Sequence, residues 1–385
     1  MQVVTETLQR GGERFAAAVV AAPATESAAV GAAWRAHRRL LNAIGGAAEI
    51  TSLAAAGLER PRVIGALAES GADEVEVGRA GSMVIDAMTQ RLARLATDRL
   101  GAPPAPWAWL ALGSWARREQ AIGTDQDHAL AFDPRGRSIG ELDPYFLELA
   151  RSVTFGLEAA GIPRCHADVV AENRALRRPL EHWVTAFRAW KDEPDPQACQ
   201  QAAILFDFRQ VAGDLDVGPA FHAAIHGDPR ETFLRMQVKR VLETRPPTRR
   251  FRRFVLAARG NHKGTLDLKH GGLIPVVDLA RIYAHATGST AVGTLHRLRE
   301  AAERGGVDRE TAASLTEAFR FMWRLRLQRH VDRERCGEPP EDLVDPRALT
   351  QDDRTGLRTA LQIVQRAQGA LRSWSWLRAM SVPAA

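Results

Sequence analysis

Asp125 and Asp127 stand one residue apart, in a stretch whose second half, through Phe132, reads as a strand. Side chains alternate along an extended chain, so carboxylates at i and i+2 fall on one face, close enough to share a cation. Magnesium and manganese take oxygen ligands and keep positions for water and phosphate, a requirement that paired aspartates meet. Upstream, Gly113-Ser114 closes an apolar run. Glycine lets backbone approach a phosphate closely, and the neighbouring hydroxyl and the amides of a helix start bind the anion. A cation clamp beside an anion cradle is equipment for chemistry on a polyphosphate.

Two further cations could complete such a site. Arg117 lies close to the glycine turn, where its guanidinium could grip phosphate oxygens bidentately; the plain alternative is a solvated arginine in an arginine-rich chain. Lys269 precedes Gly271-Gly272 and is one of only four lysines, with Lys191, Lys239 and Lys263. It is a natural phosphate contact, or else a charge on a helix surface. Glu119 reads as a structural partner for a nearby arginine. Asp168 lies one helix beyond the paired aspartates, where an acid in a surface loop is the simpler reading.

These residues need a scaffold. Trp107 to Leu112 (WAWLAL) is a short apolar run after the helix-breaking Gly101-Ala-Pro-Pro-Ala-Pro106, and it predicts a buried strand. Glu141 to Ala160 has helical spacing at Phe146, Leu149, Val153 and Leu157, closed by Gly161 and Pro163. Ahead of these, Met83, Met88, Leu92, Leu95 and Leu100 mark a helical region. Beyond Pro179 the spacing predicts helices around 180–190, 276–285, 311–331 and 355–371. The expected organisation is α+β: a helical N-terminal region over 1–100, an α/β catalytic domain over 101–178 and a helical domain over 179–385.

Composition adds limits. The chain of 385 residues is long enough for more than one core. Cys165, Cys199 and Cys336 are far apart and suggest neither a disulfide framework nor a zinc site. The apolar stretch Phe15 to Ala24 is too short to span a bilayer, so a cytoplasmic protein without membrane partners is expected. The net charge of +6 is modest, and the basic run Arg245 to Arg253 has few interleaved aromatics, so no DNA partner is expected. Asp207 and Arg209 could form an internal ion pair orienting the helical domain. His330-Val-Asp332 is not the adjacent His-Asp pair of a metal phosphohydrolase.

The segment GSWARREQAIGTDQD, Gly113 to Asp127, resembles the glycine-serine turn and Asp-x-Asp strand of the DNA polymerase β superfamily, and more narrowly that of the PII-protein uridylyltransferases. Gly113, Ser114, Arg117, Glu119, Thr124, Asp125 and Asp127 occupy matching places. The stretches Leu100 to Phe132, Leu205 to Asp214, Leu266 to Ala284 and RLRLQRH, Arg324 to His330, are similar to bacterial nucleotidyltransferases usually linked to CBS and cyclic-nucleotide-binding domains. The resemblance implies a polymerase-β-like fold and transfer of NMP from an NTP to an acceptor, a protein in PII uridylylation, with pyrophosphate released. It also implies Mg2+ or Mn2+ on Asp125 and Asp127, nucleotide contacts from Gly113, Ser114, Arg117 and Lys269, and a candidate catalytic role for Asp168.

Two positions depart from the pattern: His128 replaces the usual amide, and Cys165-His-Ala-Asp168 replaces a cysteine followed by a glycine-rich turn. No CBS module is evident, so the usual ligand-sensing apparatus is expected to be absent or supplied by another chain, a regulatory-domain partner. The alternative function is a non-catalytic nucleotide-binding regulatory module that acts through protein partners.

Overall fold

The strand WAWLAL becomes β1, Trp107–Leu112, and its alternation decides the layers. Trp107, Trp109 and Ala111 face one core, while Ala108, Leu110 and Leu112 face another. β2, His128–Phe132, repeats the pattern, with Leu130 and Phe132 on the first side and Ala129 and Ala131 on the second. Both faces of the sheet are thus covered, which is why these strands read as continuous apolar runs. The computed structural model describes residues 28–227, 231–249, 253–254, 256 and 263–372. The N-terminal stretch Phe15 to Ala24 lies outside them, as does part of the basic run Arg245 to Arg253.

The described chain begins with helices α1 (Ala28–Gly46), α2 (Ile50–Gly57), α3 (Arg60–Glu69) and α4 (Glu74–Leu100). Asp73 caps α4 by accepting from the amides of Val75 and Glu76, and the proline-rich segment after Gly101 ends it. After β1 come the single turn α5 (Gly113–Ala116), β2 and α6 (Ile139–Ala159). Then follow β3 (Arg177–Pro179), α7 (Leu180–Asp192), α8 (Pro196–Leu205), β4 (Phe208–Gly213) and α9 (Gly218–His226). The sheet order is β3-β2-β1-β4; β1 is antiparallel to both β2 and β4, and β2 is parallel to β3. Helices α4 and α6 cover one face, and α7 to α9 cover the other.

The fold is α+β, as the sequence predicts. One strand was not anticipated: β4 lies in the Leu205 to Asp214 stretch, within the part read as helical. Its Cα register with β1 slips between Trp109 and Leu110, so the two strands do not pair evenly.

The rest is helical: α10 (Glu231–Glu243), a π-helical turn (Lys269–Leu273), α11 (Ile274–Ala286), α12 (Thr294–Glu303), α13 (Arg309–Arg335) and α14 (Gln351–Leu371). Short β7 (Leu266–Asp267) pairs with β8 (Leu343–Val344), after the hairpin of β5 (Thr248–Arg249) and β6 (Arg253–Phe254). These helices share a core with Ile64, Leu67, Val77 and Ala80 of the N-terminal helices. Leu40, Ile44, Leu53 and Val84 belong instead to the core under the sheet. The N-terminal helices therefore divide their apolar residues between the sheet and the C-terminal helices.

Candidate active site

Asp125 and Asp127 sit at the entrance to β2, where the chain is already extended. Alternation separates them from their neighbours: Gln126 and His128 are fully buried, and the aspartates face the other way, half-buried. Gln126 Nε2 donates to Ile162 O at 3.1 Å and its Oε1 accepts from His128 Nε2 at 3.0 Å, while His128 Nδ1 accepts the Ala171 amide at 2.9 Å. Burial, aided by the charge of Arg164, pushes His128 down to about 3, so its imidazole is neutral. The departure at His128 is a core residue packed on Trp109, with ring centroids 4.6 Å apart.

A depressed histidine pKa makes stability depend on pH. Between 6.5 and about 3 the unfolded chain holds a proton at His128 that the folded chain does not, so this contribution is present above 6.5 and is lost as the pH falls. Urea midpoints measured across that window should fall more steeply for the wild type than for His128→Gln.

Gly113 adopts φ +53°, and a Cβ there would lie 3.2 Å from Asp127 Oδ2. Glycine is therefore required twice over, for its left-handed backbone and for the space beside the carboxylate. The Gly113 amide donates to Asp207 O at 3.2 Å, and the Leu112 amide donates to Asp127 O at 3.0 Å. The ends of β1, β2 and β4 thus meet at one point.

The third member of the cluster is Cys165, for which the sequence predicts no site role. Carboxylate oxygens of Asp125 and Asp127 and the Cys165 sulfur all lie within 4.8 Å of one another. Arg164 bridges to Gln126 as in a parallel strand, so the next residue is delivered beside Asp127. The chain then turns, with Asp168 at φ +55° and its amide donating to Cys165 O at 3.1 Å. That turn carries Asp168 to the surface, where it meets Arg164 at 3.4 Å and Asn173 Nδ2 at 3.0 Å. Asp168 is thus not brought to the aspartate pair.

The charge of Asp127 is held at a cost. Burial, together with the adjacent charge of Asp125, pushes Asp127 up to about 6; the Cys165 thiol, Lys269 and Arg117 pull the other way. The thiol itself is pushed up to about 12 by burial and by Asp127, so it is a hydrogen-bond donor. Lys269, from the turn after β7, is close enough for its charge to act on Asp127 across the domain boundary.

A carboxyl pKa raised from 3.8 to about 6 destabilises the metal-free fold above that range, since the folded chain prefers the protonated form. Asp127→Asn should therefore stabilise the metal-free protein at pH 7 by about 1–3 kcal/mol. Thermal unfolding in chelator should show that advantage shrinking toward pH 5. An equal advantage at both values would mean the carboxylate is not strained.

Arg117 is buried behind the glycine turn. Its Nε donates to Glu119 Oε2 and its Nη1 to Asp207 Oδ2, each at 2.7 Å. The pairing expected of Glu119 is present, and Glu119 Oε1 also accepts the Thr294 amide at 2.7 Å. Asp207 does not pair with Arg209. It is held by Arg117, by Arg281 of α11 at 2.7 Å and by Arg297 of α12 at 2.6 Å. Burial opposes ionisation of Asp207, but these three charges keep its carboxyl far below the usual range. Arg209 instead reaches Asp86 of α4 at 2.8 Å. The expected tie to the helical domain thus exists with other partners, Arg281 of α11 and Arg297 of α12.

The family described as "Putative nucleotidyltransferase DUF294" matches residues 59–197, and that described as "Putative nucleotidyltransferase substrate binding domain" matches residues 231–374. No curated protein matches the chain. Among the described residues no helix is long and apolar enough to cross a membrane.

Proposed function

The chain belongs to this nucleotidyltransferase family, and on that premise we propose that it moves a nucleoside monophosphate from an NTP to a protein hydroxyl, releasing pyrophosphate. The observation that carries the reading is the convergence of Asp125 and Asp127 beside a glycine with no side chain to obstruct them. The donor set fits a hard divalent cation, Mg2+ or Mn2+: two carboxylates whose proximity to one another is unfavourable until a positive charge joins them. When bound, such an ion supplies charge neutralisation for the triphosphate and for the departing pyrophosphate.

The chain's own residues then have distinct tasks. Gly113 and Ser114 let the phosphates approach the backbone. Lys269 brings the cation that meets the phosphates from the C-terminal side. Arg117, committed to Glu119 and Asp207, acts through its field and by bracing the turn. The catalytic unit extends past residue 178 to α9, because β4 and α7 to α9 complete the sheet and its second face. The helices from Glu231 onward form the substrate-binding part. The protein acceptor and a preference for UTP are supported by the likeness of Gly113 to Asp127 to PII uridylyltransferases.

A rival reading is favoured by one observation, the thiol of Cys165 in the place of a third acid: a module that binds nucleotide and does not turn it over. Calorimetry with UTP and ATP, with and without Mg2+, followed by a pyrophosphate assay in native cytosol, separates the two. Turnover together with a nucleotidyl mass shift on a cytosolic protein supports the transferase. Magnesium-dependent binding without pyrophosphate supports the module. Because Asp168 is held at the surface, Asp168→Ala should change turnover by no more than about twofold, against the hundredfold or more expected on removing a general base.

A further inference from the structure

The RLRLQRH segment on α13 contributes no residue to the site described above, yet two of its side chains converge on one acid. Arg326 donates to both oxygens of Asp342, at 2.6 and 3.1 Å, and His330 Nε2 lies 2.9 Å from Asp342 Oδ1. The other ring nitrogen, Nδ1, faces the amide of Gly123 at 3.4 Å, two residues before Asp125. A ring that accepts at Nδ1 and donates at Nε2 is a neutral imidazole in a single tautomer, an assignment made from the hydrogen-bond partners. His330 is almost fully buried. Pro340 packs on the same glycine, where a Cβ would come within 2.4 Å.

The opposite side of Asp342 leads to the phosphate lysine. Its backbone carbonyl accepts the Leu268 amide at 2.9 Å, directly before Lys269, and its neighbour Leu343 pairs with Asp267 across β7 and β8. One residue therefore reaches the loop of Asp125 through its side chain and the segment of Lys269 through its backbone. Ala121 and Ile122 are buried in the C-terminal core, and Arg60 of α3 donates to their carbonyls at 3.3 and 2.6 Å.

We propose that His330, held by Asp342 and Arg326, is a positioning residue that sets the Gly123–Asp125 loop against Lys269, so that the cation-binding and phosphate-binding halves of the site assemble only when α13 is seated. This rests on the reading of Asp125 and Asp127 as the cation site. The interaction that matters is the acceptor offered to Gly123, the hydrogen bond by which the ring reaches the loop. The seating of α13 on α3 and α4 then becomes a place where the helical parts act on catalysis without touching substrate.

Three substitutions separate positioning from simple packing. Asn places an acceptor near the position of Nδ1, Gln places an amide near Nε2, and Ala supplies neither. The full chain is used, with calorimetric affinity for UTP in saturating Mg2+, kcat and KM from pyrophosphate release, and thermal stability for each variant. His330→Gln and His330→Ala should weaken magnesium-dependent UTP binding and lower kcat by roughly tenfold or more, while His330→Asn stays within about threefold of wild type, on the scale by which outer-shell partners tune a metal site. The proposal is overturned if all three variants bind and turn over like wild type, or if Asn is as impaired as Gln. Should Ala fail to fold, the Asn and Gln pair carries the test alone. A wild-type protein that shows no magnesium-dependent UTP binding would remove the cation-site reading itself, and this inference with it.

Discussion

Replacing Asp125 and Asp127 together by Asn is expected to lower magnesium-dependent pyrophosphate release by at least about a hundredfold, the loss seen when one preorganised electrostatic contact to a transition state is removed. The expectation rests on their convergence with Cys165 within 4.8 Å, and on the absence of any other such group of His, Cys, Asp or Glu among the described residues. Folding should survive, and single Asp127→Asn should even raise the melting temperature of the metal-free chain, because burial and Asp125 make its charge unfavourable. Activity and stability thus move in opposite directions at one residue. A destabilised, inactive double variant would show only that the loop had collapsed. Wild-type release from a folded double variant would remove the cation site from this position.

The second large effect is structural. Asp207→Ala should cost about 3–5 kcal/mol in urea unfolding, since removal of one partner leaves buried opposite charges uncompensated. Here three arginines lose their common carboxylate, and their side chains are only 7%, 5% and 2% exposed for Arg117, Arg281 and Arg297. Arg281 keeps Asp278 and Arg117 keeps Glu119, so Arg297 is left worst off. Turnover should fall as well, because the Asp207 carbonyl receives the Gly113 amide and the carboxylate ties α11 and α12 to that turn. A cost below about 1 kcal/mol would class the network with surface ion pairs.

Much of this protein follows from local rules. The run WAWLAL predicts β1 to the residue, because a strand buried on both faces has no polar alternation to blur its ends. The helical spacing from Thr311 to Val331 lies within α13, and that from Thr355 to Leu371 lies within α14. The same-face placement of Asp125 and Asp127 follows from a period of two, and the burial of Gln126 and His128 on the opposite face agrees.

What local rules cannot supply is the partner of each charge. Arg117 reads as a phosphate contact from its place beside the glycine turn, yet Asp207, ninety residues away in the chain, claims its guanidinium. Asp168 is the nearest acid after the helix. The pairing of Arg164 with Gln126 brings Cys165 beside Asp127 instead, and a left-handed turn sends Asp168 out to solvent. Strand β4 is not legible in the sequence because FRQVAG lacks a clean period of two, its buried positions falling at Phe208 and Val211. Residue types and spacing determined the elements and the chemistry available to them; tertiary packing alone decided which charges meet, because an ion pair is chosen by distance in space and by desolvation, and neither is encoded by separation along the chain.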